Sequence, residues 1–173
     1  MNKVFIFGKP GGGKSVLSKK LSARIGISSH ALDLIQYHPS GELISSDAFN
    51  ERHADLIGLD KWIIEGFGTI DSFWLTVDAA DTLIYLDLHY SIHYWWVTKR
   101  LLKSFVVKPE GWPQGSSVLK GTLTSWKHLR LSPRFWNHEL LENVMTRGAD
   151  KDIYRFTSVE HIDAFLNQLD CAD

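Results

Sequence analysis

Apolar residues in this chain occur either in short unbroken runs or in rows spaced by four residues, and the two patterns alternate along the sequence. β-rich runs lie at 4–7, 62–64 and 82–86, a further one at 153–156 includes Arg155, and a short, more polar candidate lies at 30–33. Each of these runs predicts a strand. Because strands that alternate with helices form parallel sheets, we expect an α/β fold of three layers, with about five parallel strands and helices on both faces.

Between these runs the apolar residues have helical spacing. Leu17, Leu21 and Ile25 recur every four residues and predict a helix that begins at Lys14 and ends before Gly26. Further helices are predicted over about 47–57, over 91–104, over 123–145 with an interruption at Pro133, and after Thr157, which has the spacing of a capping box with Glu160.

Length and composition predict one domain over residues 1–173, and 44% hydrophobic residues are enough to bury a core. No apolar run approaches the roughly 18 residues of a membrane helix, and the first residues lack the order of a signal peptide. The single cysteine, Cys171, can form no internal disulfide, which suits a reducing compartment. We therefore expect a cytoplasmic protein, monomeric or homodimeric, with no membrane association.

The first predicted strand runs directly into a glycine cluster. Residues 8–15 read G-K-P-G-G-G-K-S and fit G-x-x-x-x-G-K-[ST], the Walker A motif, between a strand and a helix as its mechanism requires. The glycines let successive backbone N–H groups point at a β-phosphate, and the helix adds the positive end of its dipole. Lys14 would bridge the β- and γ-phosphates, and the Ser15 hydroxyl would bind Mg²⁺.

The motif therefore predicts binding of ATP with Mg²⁺. It excludes protein-kinase chemistry, which uses a different Gly-rich loop and a lysine on a separate strand. A GTPase is disfavoured because the chain has no guanine motif of the N-K-x-D type. The residues expected to bind the nucleotide are Gly8, Lys9, Pro10, Gly11, Gly12, Gly13, Lys14, Ser15 and Val16.

Carboxylates follow three of the predicted strands, at the sheet edge where ligands bind in parallel α/β folds. Glu65 is the first choice to share the Mg²⁺ with Ser15, because the loop serine alone does not hold the metal. Asp33 is better placed for a hydroxyl of the substrate, and Glu65 with Gly66 completes the predicted substrate-binding set. Asp87 is the third such acid, but it reads equally well as a cap.

Four further segments occur in the same order along the chain as in a known protein family. They read H-A-L-D at 30–33, W-I-I-E-G at 62–66 and A-D-T-L-I-Y-L-D-L at 80–88, followed by a Trp- and Arg-rich segment at 126–136. With the Walker A motif, they resemble the small P-loop kinases related to adenylate kinase. The nearest likeness is to the DNA-topology-modulation, or FlaR-type, subgroup. The resemblance implies an enzyme that transfers the γ-phosphoryl group of ATP to a small acceptor.

The chain departs from adenylate kinases proper at two places. They follow D-G with F-P-R, whose arginine grips the phosphate of AMP, whereas residues 65–69 here read E-G-F-G-T. They also carry two lid arginines four residues apart, of which the second matches Arg100 and the first falls on Trp96. These departures argue against AMP, and the acceptor is left open as a nucleoside, a nucleotide or another hydroxylated metabolite, bound at about 33–60.

Charge is distributed unevenly although the net charge is −1. Residues 99–134 hold eight basic residues and one acidic residue, a net +7, while the rest of the chain is near −8. We interpret 99–134 as a basic helical lid, with a predicted loop at 108–117, that faces the 8–15 loop. Phosphoryl transfer needs positive charge beyond one lysine. Because arginine grips phosphate bidentately, the predicted catalytic residues are Lys14, Arg100, Arg130 and Arg134.

Two other interpretations of this basic segment stay open. Five of the seven tryptophans, at positions 95, 96, 112, 126 and 136, lie in or beside it. Aromatic faces between basic residues are typical of nucleic-acid surfaces, which would make the chain an ATP-regulated nucleic-acid-binding protein through 95–136. Alternatively, most of these tryptophans belong to the core and the charges form a solvated face. Nucleic-acid binding is the less favoured function.

Overall fold

The computed structural model describes residues 1–38, 42–104 and 118–170. Within these residues a five-stranded sheet forms, in the order β2-β3-β1-β4-β5, and every strand pair is parallel. The predicted α/β fold with five parallel strands is thereby confirmed. The strands are β1 (Lys3–Gly8), β2 (Ser29–Ala31), β3 (Trp62–Glu65), β4 (Thr82–Leu86) and β5 (Asp152–Phe156).

Helices connect the strands, and capping residues fix where several helices begin or end. Gly26 has a φ of 67° and its N–H donates to Ser22 O, which stops the first helix where the sequence predicts. Ser45 caps the third helix by accepting from Ala48 N at 3.2 Å. The helices are α1 (Lys14–Ile25), α2 (Leu32–Ile35), α3 (Ser46–Gly58), α4 (Ile70–Ala79), α5 (Tyr90–Ser104), α6 (Val118–Leu131), α7 (His138–Arg147) and α8 (Val159–Asp170).

The core lies on both faces of the sheet because side chains alternate along each strand. In β1, Val4 and Ile6 belong to one buried cluster and Phe5 and Phe7 to the other. The first cluster takes residues from α1 and α8, and the second takes residues from α3, α4 and α7. Three layers result, with a strand of unbroken apolar character at the centre, as expected when both faces are covered.

Strand register brings the candidate residues to one edge. Ile6 pairs with Glu65, and Gly8 pairs with Leu86, so β3 and β4 flank the point where β1 ends. The carboxyl ends of these three neighbouring strands therefore place Glu65 and Asp87 on either side of the loop that follows Gly8. This is the edge at which ligands bind in open parallel sheets.

The structure adds one helix that was not predicted and corrects two local predictions. Residues 70–79, given no helix by the sequence, form α4, which Thr69 and Ser72 start with a capping box. The segment 123–145 is two helices, because a 3₁₀ turn at Ser132–Arg134 ends α6 and Asn137 caps α7. The last helix is capped by Ser158, which accepts from His161 N at 3.3 Å, and not by Thr157. The predicted loop at 108–117 and Cys171 lie outside the described residues.

Candidate active site

The Walker A segment forms a loop between β1 and α1. Gly13, with a φ of 81°, precedes the first residue of α1 and accepts from Leu17 N at 2.9 Å. The ammonium of Lys14 turns back over the loop and donates to Gly8 O and Lys9 O, each at 3.1 Å. The loop is thus closed by its own lysine, and its backbone N–H groups stand at the start of a 12-residue helix.

Helix α5 packs directly against the loop glycines. A Cβ atom at Gly11, where φ is 70°, would lie 2.4 Å from Val97 Cγ2, and one at Gly13 would lie 2.9 Å from the Trp96 ring. Both positions therefore require glycine, because φ is positive and a neighbouring side chain already fills the space. The sequence motif gave a reason for glycine from phosphate binding, and the structure adds close packing of α5.

His93 of α5 also holds the loop, a role that the sequence did not reveal. Its side chain is fully buried, and Nδ1–H donates to Pro10 O at 2.9 Å. Burial lowers the pKa of His93 to about 4, so the imidazole is neutral near pH 7. A neutral, buried imidazole that donates to a loop carbonyl positions the loop without adding charge to it.

Ser15 and Glu65 meet below the loop. Ser15 Oγ donates to Glu65 Oε1 at 2.6 Å, and Glu65 is 5% exposed. Burial raises the pKa of Glu65, while the hydrogen bond from Ser15 and the charge of Lys14 oppose the rise. A hydroxyl and a buried carboxylate at this separation suit Mg²⁺, whose adjacent oxygen ligands in an octahedron lie about 3 Å apart. The residues present therefore fit the ion that the sequence predicts.

Charged groups converge on Lys14. Burial lowers its pKa, the carboxylates of Asp33 and Glu65 oppose that shift, and the guanidinium of Arg100 adds to it. Arg100 donates to Ser125 Oγ of α6 at 3.3 Å, which ties α5 to α6 beside the loop. The structure thus brings together four predicted site residues from α1, α2, β3 and α5.

Asp33 lies on α2, two residues after the end of β2, and is exposed. Its Oδ1 would be 3.4 Å from a Cβ atom at Gly66, so the carboxylate stands beside the backbone that follows Glu65. Gly66 N donates to Ile6 O at 3.2 Å and continues the pairing of β3 with β1. The predicted substrate-binding residues are therefore neighbours.

Asp87 has a role that the sequence left undecided. It accepts hydrogen bonds from Lys9 Nζ of the loop, from Tyr85 Oη at 3.1 Å and from Arg155 Nη2 at 2.5 Å. Burial alone would raise the pKa of Asp87, but the bonds from Lys9 and Arg155 outweigh it and the pKa is lowered. Lys9 is only 4% exposed and lies over the Tyr90 ring, 4.9 Å from its centroid. The first variable residue of the motif is thus anchored to β4.

A cavity of about 700 Å³ opens beside the loop, and we call it the acceptor cavity. Gly8, Pro10 and Lys14 line it on the loop side, and Asp33 lines it from α2. From the predicted acceptor-binding segment 33–60, Gln36 and Tyr37 also reach it, whereas residues 39–41 lie outside the described residues. Its remaining lining comes from 67–70 and from α6 through Trp136.

The predicted lid is placed only in part. Its residues 105–117, with Lys108 and Trp112, lie outside the described residues. Arg130 and Arg134 are exposed and are not lining residues of the acceptor cavity, in contrast to Ser125 and His128 of the same segment. Val16, which the sequence grouped with the loop, is 59% exposed on α1. The roles predicted for Arg130 and Arg134 therefore stay predictions.

Tryptophans of the basic segment mostly pack inward. Trp136 stacks on Tyr85 with ring centroids 5.7 Å apart, and Trp96 covers Gly13. Trp95 is 59% exposed, whereas Trp126 is partly buried. Among the described tryptophans of this segment, Trp95 alone has the exposure that a stacking surface for bases requires.

Comparison with known proteins gives one kind of match. No model of a protein family matches the chain, and no curated protein sequence matches it. Among solved structures, shikimate kinase from Bacteroides thetaiotaomicron is similar, with a TM-score of 0.53 and 12% sequence identity over 96% of this chain and 94% of that one. At that identity the likeness shows the fold, which is that of a P-loop kinase.

No helix among the described residues is long and apolar enough to cross a bilayer.

Proposed function

We propose that this chain is an ATP-dependent phosphotransferase that moves the γ-phosphoryl group to a hydroxyl of a small molecule. The observation that carries the proposal is the 2.6 Å contact of Ser15 with buried Glu65, directly beside the Lys14 ammonium. A fold alone would not require these groups to meet. Their meeting at the carboxyl ends of β1 and β3 supplies a lysine for phosphates and an oxygen pair for a metal.

Donor binding falls to residues 8–16. Backbone N–H groups of the loop cradle the β-phosphate, and Lys14 moves its hydrogen bonds from Gly8 O and Lys9 O to the phosphate oxygens. Ser15 and Glu65 would hold Mg²⁺. When bound, that ion offsets the charge that develops on the phosphate oxygens. His93 and the Lys9–Asp87 pair keep the loop in place while these bonds form.

Acceptor activation falls to Asp33. Its carboxylate, beside Gly66 and in the acceptor cavity, accepts the hydrogen bond of the attacking hydroxyl. The hydroxyl oxygen forms a bond to the γ-phosphorus, the bond from that phosphorus to the β–γ bridging oxygen breaks, and ADP leaves. The hydroxyl proton passes to Asp33 and then to water.

Positive charge around the transferred group comes first from Arg100. Its charge acts on Lys14, and its bond ties it to Ser125 of α6, which lines the acceptor cavity. Arg130 on α6 and Arg134 in the 3₁₀ turn that follows would join it if this segment moves toward the loop during turnover, as lids of kinases do. We retain both as proposed catalytic residues on that condition.

The finer assignments follow from the same proposal. We place the chain with the kinases related to adenylate kinase, nearest the DNA-topology-modulation subgroup, on its sequence segments at 30–33, 62–66 and 80–88. We also infer a cytoplasmic enzyme that works as a monomer or homodimer, with no membrane partner. Nucleic-acid binding is not part of the proposal.

An ATP-consumption screen over nucleosides, nucleoside monophosphates and small hydroxylated metabolites tests this function. We expect at least one acceptor to raise turnover well above that of Lys14→Ala, by on the order of a hundredfold, because the lysine acts on the transferring group. Lys20→Ala is the matched control, since Lys20 is an exposed lysine of the same helix. If no acceptor exceeded the Lys14→Ala background, the phosphotransferase proposal would fail.

A further inference from the structure

The chemistry of the acceptor cavity narrows the acceptor, and this inference rests on the proposed function. Ionic side chains are few among its described lining residues: Lys14 is the lysine, Asp33 is the carboxylate, and no arginine contributes. Hydrogen-bonding groups without fixed charge are more numerous, and they are supplied by Gln36, Tyr37, Thr124, Ser125 and His128.

Lys14, the one lysine among the described lining residues, binds the phosphates of the donor in the proposed function. Lys14 lies on the loop, with its ammonium between Gly8 O and Lys9 O. The positive charge of Arg100 acts on this ammonium and lowers its pKa further. At position 69, where related enzymes carry a phosphate-gripping arginine, the side chain of Thr69 instead starts α4 by accepting from Ser72 N at 3.1 Å. Among the described lining residues, no lysine or arginine is therefore left to pair with an anionic group of the acceptor.

One wall of the cavity is formed by packed aromatic rings. Phe67 and Phe135 meet edge to face with centroids 4.9 Å apart, and Trp136 lies 5.2 Å from Phe135 and 6.2 Å from Phe67. Phe73, which is fully buried, supports all three from behind. Such a wall binds the flat or apolar face of a ring and offers nothing to an anion.

An acceptor that carried a phosphate or carboxylate would bind unfavourably in this cavity for two reasons. Its charge would lose some of its water without gaining a lysine or arginine partner among the described lining residues, and it would stand in the same cavity as the Asp33 carboxylate. An uncharged acceptor avoids both costs, and its hydroxyls find Asp33, Gln36 and the hydroxyls of α6. We propose that the acceptor is an uncharged hydroxylated molecule with a flat or apolar ring face, of the nucleoside or neutral cyclic sugar class, and not a nucleotide or sugar acid.

Matched pairs of compounds test the proposal. Nucleosides are compared with their 5′-monophosphates, and neutral sugars and cyclitols with the corresponding sugar acids. We expect kcat/KM for the preferred uncharged member to exceed that of its anionic partner at least tenfold. A preference for the anionic member across the pairs would overturn the inference while leaving the phosphotransferase function intact. Absence of turnover above the Lys14→Ala background overturns the function itself.

Binding gives a readout that does not depend on turnover. With a non-hydrolysable ATP analogue present, uncharged members at millimolar concentration should raise the melting temperature more than their anionic partners do. An equal or larger shift from the anionic members would contradict the proposal. So would the absence of a shift from every uncharged member.

A pair of variants at Ile70 tests the charge argument within the cavity. Ile70 lines the cavity and is 58% exposed, so a longer polar side chain can be placed there without disturbing the core. Ile70→Arg should shift the preference toward the anionic member of each pair by about tenfold relative to Ile70→Gln, which is similar in polarity but uncharged. Equal preferences in the two variants would show that cavity charge does not select the acceptor.

Discussion

The two sides of the cleft differ in how far the protein itself satisfies their polar groups. On the donor side, the side chains that support the loop are buried and bonded to it: Lys9 is 4% exposed, Glu65 5% and His93 0%, whereas Ser15 of the loop itself is exposed. On the acceptor side, Asp33 is exposed and Ile70 is 58% exposed. We define the donor side as residues 8–15 with Glu65, Asp87 and His93, and the acceptor side as 33–37 and 67–70 with α6.

The difference follows from what each side must do. Phosphate binding and metal binding need donors and acceptors fixed before the charge moves, because fixed groups cost no reorganisation during the reaction. Hydrogen bonds to buried side chains, such as Ser15 to Glu65 and His93 to Pro10, provide this fixation. Recognition of an acceptor can be left to exposed groups on connecting segments, which is where proteins commonly vary their specificity.

The largest effect that tests this comparison is expected at Glu65. Glu65→Gln keeps the shape of the side chain but weakens the proposed metal site, so kcat should fall by on the order of a hundredfold.

The same variant tests stability. Burial raises the pKa of Glu65 in the folded state, so the ionised carboxylate lowers the free energy of unfolding once the pH exceeds the pKa of Glu65 in the unfolded chain. The variant should therefore be as stable as the parent or more stable at pH 7, with the difference vanishing in acid, as measured by urea unfolding.

The control for this variant is Glu51→Gln, an exposed glutamate on α3, which should change neither activity nor stability appreciably. If Glu65→Gln kept its activity within threefold of the parent, the donor side would not contain the metal site. If it unfolded more easily at pH 7, the acid would be structural and the comparison of the two sides would lose its basis.

The second effect concerns the anchoring of the loop to β4. Side chains of the Lys9–Asp87 pair are 5% and 17% exposed, so Asp87→Asn leaves a buried ammonium without its counter-charge and should lower the free energy of unfolding by about 3 kcal/mol. Lys9→Met combined with Asp87→Asn should cost less than the sum of the single changes. Asp78→Asn is the matched control, because the Asp78–Arg147 pair is about half exposed and should contribute under roughly 1 kcal/mol.

Urea unfolding of the four variants supplies these free energies. Equal losses for Asp87→Asn and Asp78→Asn would mean that the donor side is no better anchored than an exposed surface pair. Strict additivity in the double variant would likewise remove the coupling between the loop and β4.

The smallest effect separates the three arginines of the predicted lid. Arg100→Gln should lower kcat/KM about tenfold, because Arg100 acts on Lys14 and is half-buried, whereas Arg130→Gln and Arg134→Gln should stay within about threefold in the arrangement described. Steady-state kinetics with a preferred acceptor measures all three. A loss at Arg130 or Arg134 as large as that at Arg100 would indicate that α6 closes over the loop during turnover.

Sequence reasoning succeeded where a signal is local. The strand, turn and helix around residues 3–25 are specified by neighbouring residues, and so the bounds and the glycine-capped end of α1 matched. Sequence reasoning missed an element where the usual signal for the start of a helix was absent. The mixed segment at 70–79 hid a helix, because the Thr69–Ser72 capping box uses a serine in place of the expected glutamate.

Site residues divide in the same way. Glu65 could be paired with Ser15 in advance, since strand ends in a parallel sheet share one edge. His93 could not be found, because helical spacing does not state which turn of α5 meets Pro10. A buried lysine at position 9 was also hidden, because lysines in glycine-rich loops are usually solvated and nothing nearby in sequence marks Asp87 as its partner.

By itself, then, the sequence determined the phosphate loop, the parallel sheet and the acid beneath the loop, because each depends on residues adjacent in the chain or on the common direction of the strands. Only the tertiary structure decided that α5 covers the loop glycines, that Asp87 holds Lys9, and that Arg100, unlike Arg130 and Arg134, acts on Lys14. The contacts of α5 and Arg100 depend on the rotation and approach of a helix packed across the sheet, and the Lys9–Asp87 pair depends on how the loop lies against the end of β4. A small rotation exchanges a buried side chain for an exposed one while the helical pattern stays the same.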